Sequence, residues 1–198
     1  MKRTLVALSL AFVAVAGCAE TDPAVEDCIH DDHAFTHQAE LAHDGPWQPP
    51  ADAVAQAESY DITFVSAGPW VGTSGCSGSF TEGGKQFRTW LQTYWPQVSH
   101  VGGYACRPIN GDSSTMSVHA TGRAVDIHIP LDGGQADNDL GDALANWLLE
   151  HADEIGIQSI IWDRWMWSPS RSPRSRPYSG AHPHHDPLHV ELTPAASR

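Results

Sequence analysis

The chain has 198 residues, enough for one compact domain with room for a tail. Hydrophobic residues make up 41% of it and include eight Trp, which excludes a wholly disordered protein. Lys and Arg number 11 against 24 Asp and Glu, so a nucleic-acid partner is not expected, because phosphate binding relies on basic side chains. Twelve His raise the expectation of a metal or proton-transfer site.

The N-terminus is predicted to be an export signal over residues 1–17. Two basic residues precede an apolar run from 5 to 16, which is shorter than the roughly 20 residues that span a bilayer. The ending Val-Ala-Gly-Cys resembles the lipobox of bacterial lipoproteins, which implies cleavage before Cys18 and a lipid on its thiol. An ordinary signal peptide with an incidental Cys18 is the alternative. The expected location is outside the cytoplasm, as a membrane-anchored lipoprotein facing the periplasm or cell envelope, with membrane contact only through the lipid.

Residues 18–58 are predicted to be an acidic, disordered tether. Eleven acidic residues and no Lys or Arg occur between positions 19 and 61, a composition typical of a solvated linker. Four His of this stretch could scavenge metal ions, although solvated linker side chains are the favoured interpretation. The folded domain is therefore expected over residues 59–198, as a monomer.

The remaining sequence predicts an α+β domain. A helix is expected over residues 84–95, and a second from about 140 to 155, with Asp137 or Asp139 as its N-cap and Gly156 at its end. The mixed order of helices and strands favours an antiparallel sheet. The predicted strands cover residues 60–65, 98–104, 124–129, 157–162 and 188–192.

Export makes a disulfide feasible. Cys76 and Cys106 both flank folded-looking segments, whereas Cys28 lies in the predicted tether, so we expect Cys76 to pair with Cys106. Closing a loop of about 30 residues would stabilise the fold by about 3 kcal/mol in the chain-entropy model. The basic segment 168–177 is predicted to be a flexible, solvated insertion, with contact to an anionic polymer as the alternative.

Three residues form a candidate metal site. His119 and Asp126 are seven apart, joined by a Gly turn that enters a strand, and His189 at the start of a distant strand can supply a third ligand. Three N/O ligands with an open fourth position are typical of a catalytic zinc site. Zinc held there would lower the pKa of water to about 7 and polarise a carbonyl, which makes hydrolysis feasible.

The segment 117–126, Ser-Val-His-Ala-Thr-Gly-Arg-Ala-Val-Asp, resembles the Ser-x-His-x-x-Gly-x-Ala-x-Asp signature of the zinc D-Ala-D-Ala peptidases. That superfamily includes D,D-carboxypeptidases, peptidoglycan L,D-endopeptidases, and hedgehog-type and extensin-like C-terminal domains. The resemblance covers residues 80–192. It implies a small antiparallel sheet flanked by helices, zinc (Zn²⁺) on His119, Asp126 and His189, and peptidoglycan stem peptides as substrate.

Two flanking segments resemble further elements of the same superfamily. Asp-Pro-Leu-His, ending at His189, is similar to its Glu-x-x-His element, which implies that Asp186 is the catalytic base. Gly-Tyr-Ala-Cys-Arg resembles the segment whose Arg faces the scissile carbonyl, which implies that role for Arg107. Asp186 is one methylene shorter than the usual Glu. Pro187 stands where some relatives have a further His, and His184 or His185 could compensate by stabilising the oxyanion.

The leading hypothesis is therefore an exported zinc metallopeptidase of the carboxypeptidase or endopeptidase type acting on peptidoglycan. The Asp in place of Glu favours an alternative, a non-catalytic lipoprotein that binds the cell wall and retains the metal site. A periplasmic metal-binding protein that uses the His of the tether is a third, weaker hypothesis.

Overall fold

The computed structural model describes residues 45–98 and 100–198. The predicted signal peptide, Cys18, Cys28 and most of the predicted tether lie outside these residues. Six strands form one antiparallel sheet in the order β1-β4-β8-β5-β6-β7, and a separate hairpin pairs β2 with β3. The predicted α+β class with a small antiparallel sheet is confirmed. The strands are β1 His100–Gly102, β2 Pro108–Ile109, β3 Asp112–Met116, β4 Ala124–His128, β5 Ile157–Trp162, β6 Trp165–Trp167, β7 Ser175–Pro177 and β8 Leu188–Leu192.

Four α-helices accompany the sheet in the described part of the chain, and none of them is long and apolar enough to cross a membrane. The helix Glu82–Tyr94 matches the first predicted helix, whereas the second predicted helix is divided into Asn138–Glu150 and Ala152–Ile155, of which the latter ends at Gly156. Thr81 caps the first by accepting a hydrogen bond from the Gly84 N–H, and Asp137 caps the second by accepting one from Leu140. The helices are α1 Ala51–Glu58, α2 Glu82–Tyr94, α3 Asn138–Glu150 and α4 Ala152–Ile155.

The folded domain begins earlier than residue 59. Trp47 is fully buried, and α1 places Ala53 and Ala57 in the same core. The indole Nε1 of Trp47 donates to Asn146 Oδ1 at 2.9 Å on α3. The predicted tether boundary is therefore wrong at its C-terminal end, because one large aromatic and small helix residues suffice to dock an otherwise acidic segment.

The predicted strand over residues 60–65 is also wrong, since this segment belongs to neither a strand nor a helix. The side-chain amide of Gln158 takes the place of a strand there. Val65 donates its N–H to Gln158 Oε1 at 3.1 Å, and its carbonyl accepts from Gln158 Nε2 at 3.0 Å.

The basic segment 168–177 is ordered, contrary to the prediction. Its last residues form β7, which pairs with β6, and Arg176 is buried against the carbonyls of its own loop. Arg174 donates to Ala57 O at 3.0 Å and forms an ion pair with Glu58 at 3.2 Å. Arg174 therefore holds this loop against the C-terminal end of α1, and Arg176 binds the loop to itself.

Candidate metal centre

The sheet register brings the two strand-borne candidate ligands together. Asp126 on β4 and His189 on β8 are direct partners in the antiparallel pairing. Directly opposite residues project from the same face of a sheet, so their side chains meet. His189 Nδ1 lies 3.0 Å from Asp126 Oδ1.

A short 3₁₀ turn, Val118–Thr121, supplies the third candidate ligand. It ends at Gly122, whose φ of +72° is left-handed, and a Cβ there would collide with the Ser79 carbonyl oxygen. This turn leads straight into β4 and places His119 Nε2 3.5 Å from Asp126 Oδ1.

A second glycine allows the chain to pass close to the cluster. Gly103 follows β1 with a φ of +118°, and a Cβ at this position would lie 3.1 Å from His119 Nδ1 and 2.9 Å from the Asp126 backbone N. Any side chain at residue 103 would therefore press on two of the three candidate ligands.

The donor set fits a zinc ion. One donor atom from each of His119, Asp126 and His189 lies within 4.8 Å of the others. Two imidazoles and one carboxylate are ligands that Zn²⁺ accepts with a further position left open. His119 is buried, and its Nδ1 has no hydrogen-bond partner among the residues that the structure describes. The ring nitrogen that faces Asp126 is the other one, Nε2, which is therefore the atom placed to bind a metal together with Asp126.

All five residues singled out from the sequence line one pocket of about 570 Å³. The three candidate ligands lie in this pocket together with Arg107 and Asp186. A volume of this size suits a short peptide or another small ligand. The sequence-based candidates thus come from three separate sequence segments and meet at one place.

Arg107 is held at the pocket by its own hairpin. Its guanidinium Nη1 donates to Pro108 O at 3.1 Å and to Asn110 Oδ1 at 3.2 Å. Its carbonyl accepts from the Ser117 N–H at 3.2 Å, which joins it to the turn that carries His119. The disulfide between Cys76 and the neighbouring Cys106 is present, as predicted.

Asp186 faces a histidine at the pocket. Its Oδ1 lies 3.2 Å from His128 Nδ1, and about a third of each side chain is exposed. His184 lies deeper, with its ring centroid 5.6 Å from that of His189. His184 and Asp186 are therefore two separate proton-accepting groups in one pocket.

Burial and neighbouring charges shift the histidine pKa values in opposite directions. Burial, reinforced by His189, lowers the pKa of His119 to about 4. Burial also lowers the pKa of His184 to about 4. Burial opposes the His189 cation, yet hydrogen bonds to Asp126 and Glu191 outweigh it and raise the pKa of His189 to about 9. The pocket thus contains two weakly basic imidazoles, His119 and His184, beside the strongly basic imidazole of His189.

Sequence reasoning missed two residues of this pocket. Glu191 lies with its Oε1 3.3 Å from His189 Nε2, and the Tyr178 ring packs edge-on against His184 at 5.2 Å. Strand periodicity would have indicated Glu191, because it lies two residues after His189 and residues two apart project from the same face of a strand. No comparable pattern points to Tyr178, which follows the basic loop.

One comparison with known proteins gives a match. The family model described as "VldE, C-terminal domain" matches residues 76–188, which is more than half of the chain. The match begins at Cys76 and ends one residue before His189. No curated protein and no solved structure matches at a significant level.

Proposed function

The chain belongs to the VldE C-terminal domain family, and we propose that this member is an exported zinc metallopeptidase that hydrolyses peptide bonds in peptidoglycan. The name of the family states no activity, so the proposal is based on the pocket and on the sequence resemblance. Export is inferred from the N-terminal sequence. The bond cleaved would be a peptide bond of a stem peptide, of the kind that D,D-carboxypeptidases or endopeptidases hydrolyse.

One observation carries this proposal. His119, Asp126 and His189, a donor set of the kind that catalytic zinc sites use, converge in the pocket that also contains Arg107 and Asp186. A structural zinc site would be closed by four protein ligands, whereas this donor set has three. The combination of an open metal site with a cation and a carboxylate is suited to hydrolysis.

The zinc ion would supply a Lewis acid that polarises the scissile carbonyl and lowers the pKa of water. Arg107 would donate hydrogen bonds to the carbonyl oxygen, on which negative charge develops. Asp186 would accept a proton from the attacking water and deliver it to the nitrogen of the leaving amine. His128, 3.2 Å away, would orient the Asp186 carboxylate. Each cleaved bond consumes one water and yields one carboxylate and one amine.

A non-catalytic, cell-wall-binding lipoprotein is the second candidate. The observation that favours it is the 3.2 Å contact between Asp186 Oδ1 and His128 Nδ1, which occupies the carboxylate assigned as base. Under this alternative the pocket binds a stem peptide and the metal without turnover.

The test combines metal analysis with a peptidoglycan digest. Purified protein incubated with insoluble peptidoglycan is expected to release amino acids or peptides, detected by mass spectrometry. Release should stop with a chelator and return with zinc. His119→Ala and His189→Ala are expected to lose both zinc and activity, because a site with three ligands cannot spare one.

His151→Ala is the matched control. This half-buried histidine stacks on Trp147 outside the pocket, so its loss should leave zinc content and activity intact. Full zinc occupancy in both ligand variants would contradict the metal site. Stoichiometric zinc without products, together with co-sedimentation of the protein with peptidoglycan, would favour the binding alternative.

A further inference from the structure

Glu191 lies directly behind one of the candidate zinc ligands. Its side chain is 13% exposed, and its Oε1 is 3.3 Å from His189 Nε2. The opposite nitrogen of the same ring, Nδ1, faces Asp126 Oδ1 at 3.0 Å. One ring nitrogen therefore points towards the metal cluster, and the other points towards a carboxylate outside it.

The carboxylate itself is anchored at its far oxygen. Gln158 is fully buried and donates through Nε2 to Glu191 Oε2 at 3.1 Å. Both ends of the Gln158 amide are also hydrogen-bonded to the Val65 backbone, which holds this side chain in one orientation. A continuous series of hydrogen bonds thus runs from the Val65 backbone through Gln158 and Glu191 to His189.

We propose that Glu191 is a positioning residue of the metal site, which holds His189 in the Nε2-protonated tautomer with Nδ1 presented to the metal. An acceptor on one ring nitrogen requires the proton there, and this leaves the lone pair of the other nitrogen for a cation. Metal-ligating histidines commonly donate their second nitrogen to a carboxylate in this way. The inference rests on the metal site of the proposed function.

The experiment measures zinc affinity by competition with a chelator in the metal-stripped full chain. Glu191→Gln is expected to weaken zinc binding about 10–100-fold, the range typical for residues that orient a ligand. The substituted amide removes the negative charge. It also leaves only one acceptor oxygen for the two donors, Gln158 Nε2 and His189 Nε2. Asp142→Asn is the matched control, since this buried carboxylate accepts from Trp162 Nε1 outside the pocket. It should lower stability without changing zinc affinity.

A second measurement needs no variant. Nitrogen-15 NMR of the zinc-loaded wild type should report His189 with a proton on Nε2 and a metal-bound Nδ1. The opposite tautomer would overturn the proposal even if Glu191→Gln failed to fold. Unchanged zinc affinity in a folded Glu191→Gln protein would also overturn it. Complete loss of zinc, as expected for His189→Ala, would make Glu191 a ligand and overturn it as well. Absence of zinc from the wild type would instead defeat the proposed function.

Discussion

Asp186 and His184 both line the pocket, but their surroundings differ. Asp186 is partly exposed and paired with His128, whereas His184 is half-buried beside His189. Burial lowers the pKa of His184 to about 4, so this imidazole is neutral at neutral pH and able to accept a proton. Either group has the chemistry of a general base, and variants can separate them.

Asp186→Asn is expected to keep zinc and fold while lowering kcat about 10²–10⁴-fold, the usual contribution of a general base. Asp186→Glu should retain activity, because it restores the Glu that the peptidases resembled by this sequence have at that position. The measurement is kcat on a peptidoglycan fragment alongside zinc content.

His184→Gln is the matched comparison for this prediction. It removes the other basic group of the pocket and should leave kcat within a few fold of wild type. If His184→Gln is inactive while Asp186→Asn turns over normally, the base is His184. Activity in Asp186→Glu alone would indicate a binding protein that has lost its base.

Local chain geometry accounts for two of the three candidate ligands, His119 and Asp126, whereas His189 reaches them through the pairing of β8 with β4. Seven residues and a Gly122 turn bring His119 towards Asp126 whatever the rest of the fold does. The partner of Asp186 was not visible, since its contact with His128 depends on how a loop meets β4. Glu191 was overlooked because the peptidase motif that the sequence resembles ends at His189, although strand periodicity predicts Glu191 on the same face as His189.

At the scale of elements, the disulfide joins the segment before α2 to the residue that precedes Arg107. Cys76 and Cys106 are separated by 30 residues. Cross-linking a loop of that length mainly restricts the unfolded chain and contributes about 3 kcal/mol. Because Cys106 adjoins Arg107, the bond also restrains the hairpin that presents the guanidinium.

The double variant Cys76→Ser/Cys106→Ser is expected to lower the free energy of unfolding by about 3 kcal/mol in urea titrations. Zinc content should be retained, because none of the candidate zinc ligands adjoins either cysteine. Activity should fall through a higher KM or lower kcat as Arg107 becomes less restrained. Cys28→Ser is the control and should change none of these three quantities. A linked Cys28 in mass mapping of the oxidised wild type would contradict the assignment.

Elements were predictable where periodicity and caps agree, as in α2 and α3. They were not predictable where side chains substitute for backbone pairing. Val65 has strand-like neighbours, but its backbone groups bind the amide of Gln158 instead of a strand. The loop that ends in β7 looks disordered by composition, yet Arg174 and Arg176 satisfy backbone carbonyls and order it. Such contacts join distant residues and leave no local pattern.

At the scale of the whole molecule, the folded unit includes a segment that composition assigned to the tether. Trp47 has no exposed surface, its backbone N–H donates to Asp163 O at 3.2 Å, and its indole binds Asn146. Helix α1 then lies on α3, and the basic loop holds its C-terminal end. The acidic stretch therefore contributes a buried aromatic anchor to the core, and the start of the domain can be tested there.

Trp47→Ala in the full chain is expected to lower the free energy of unfolding by about 3–5 kcal/mol, because it leaves a large cavity and an unpaired Asn146. Gln48→Ala, at the exposed neighbouring position, should change it by no more than about 0.5 kcal/mol. Urea denaturation followed by tryptophan fluorescence and circular dichroism measures both. If the domain began at residue 59, neither substitution would change the free energy of unfolding, so near-zero effects of both would support a boundary at residue 59. A large effect of Trp47→Ala alone would establish the earlier one.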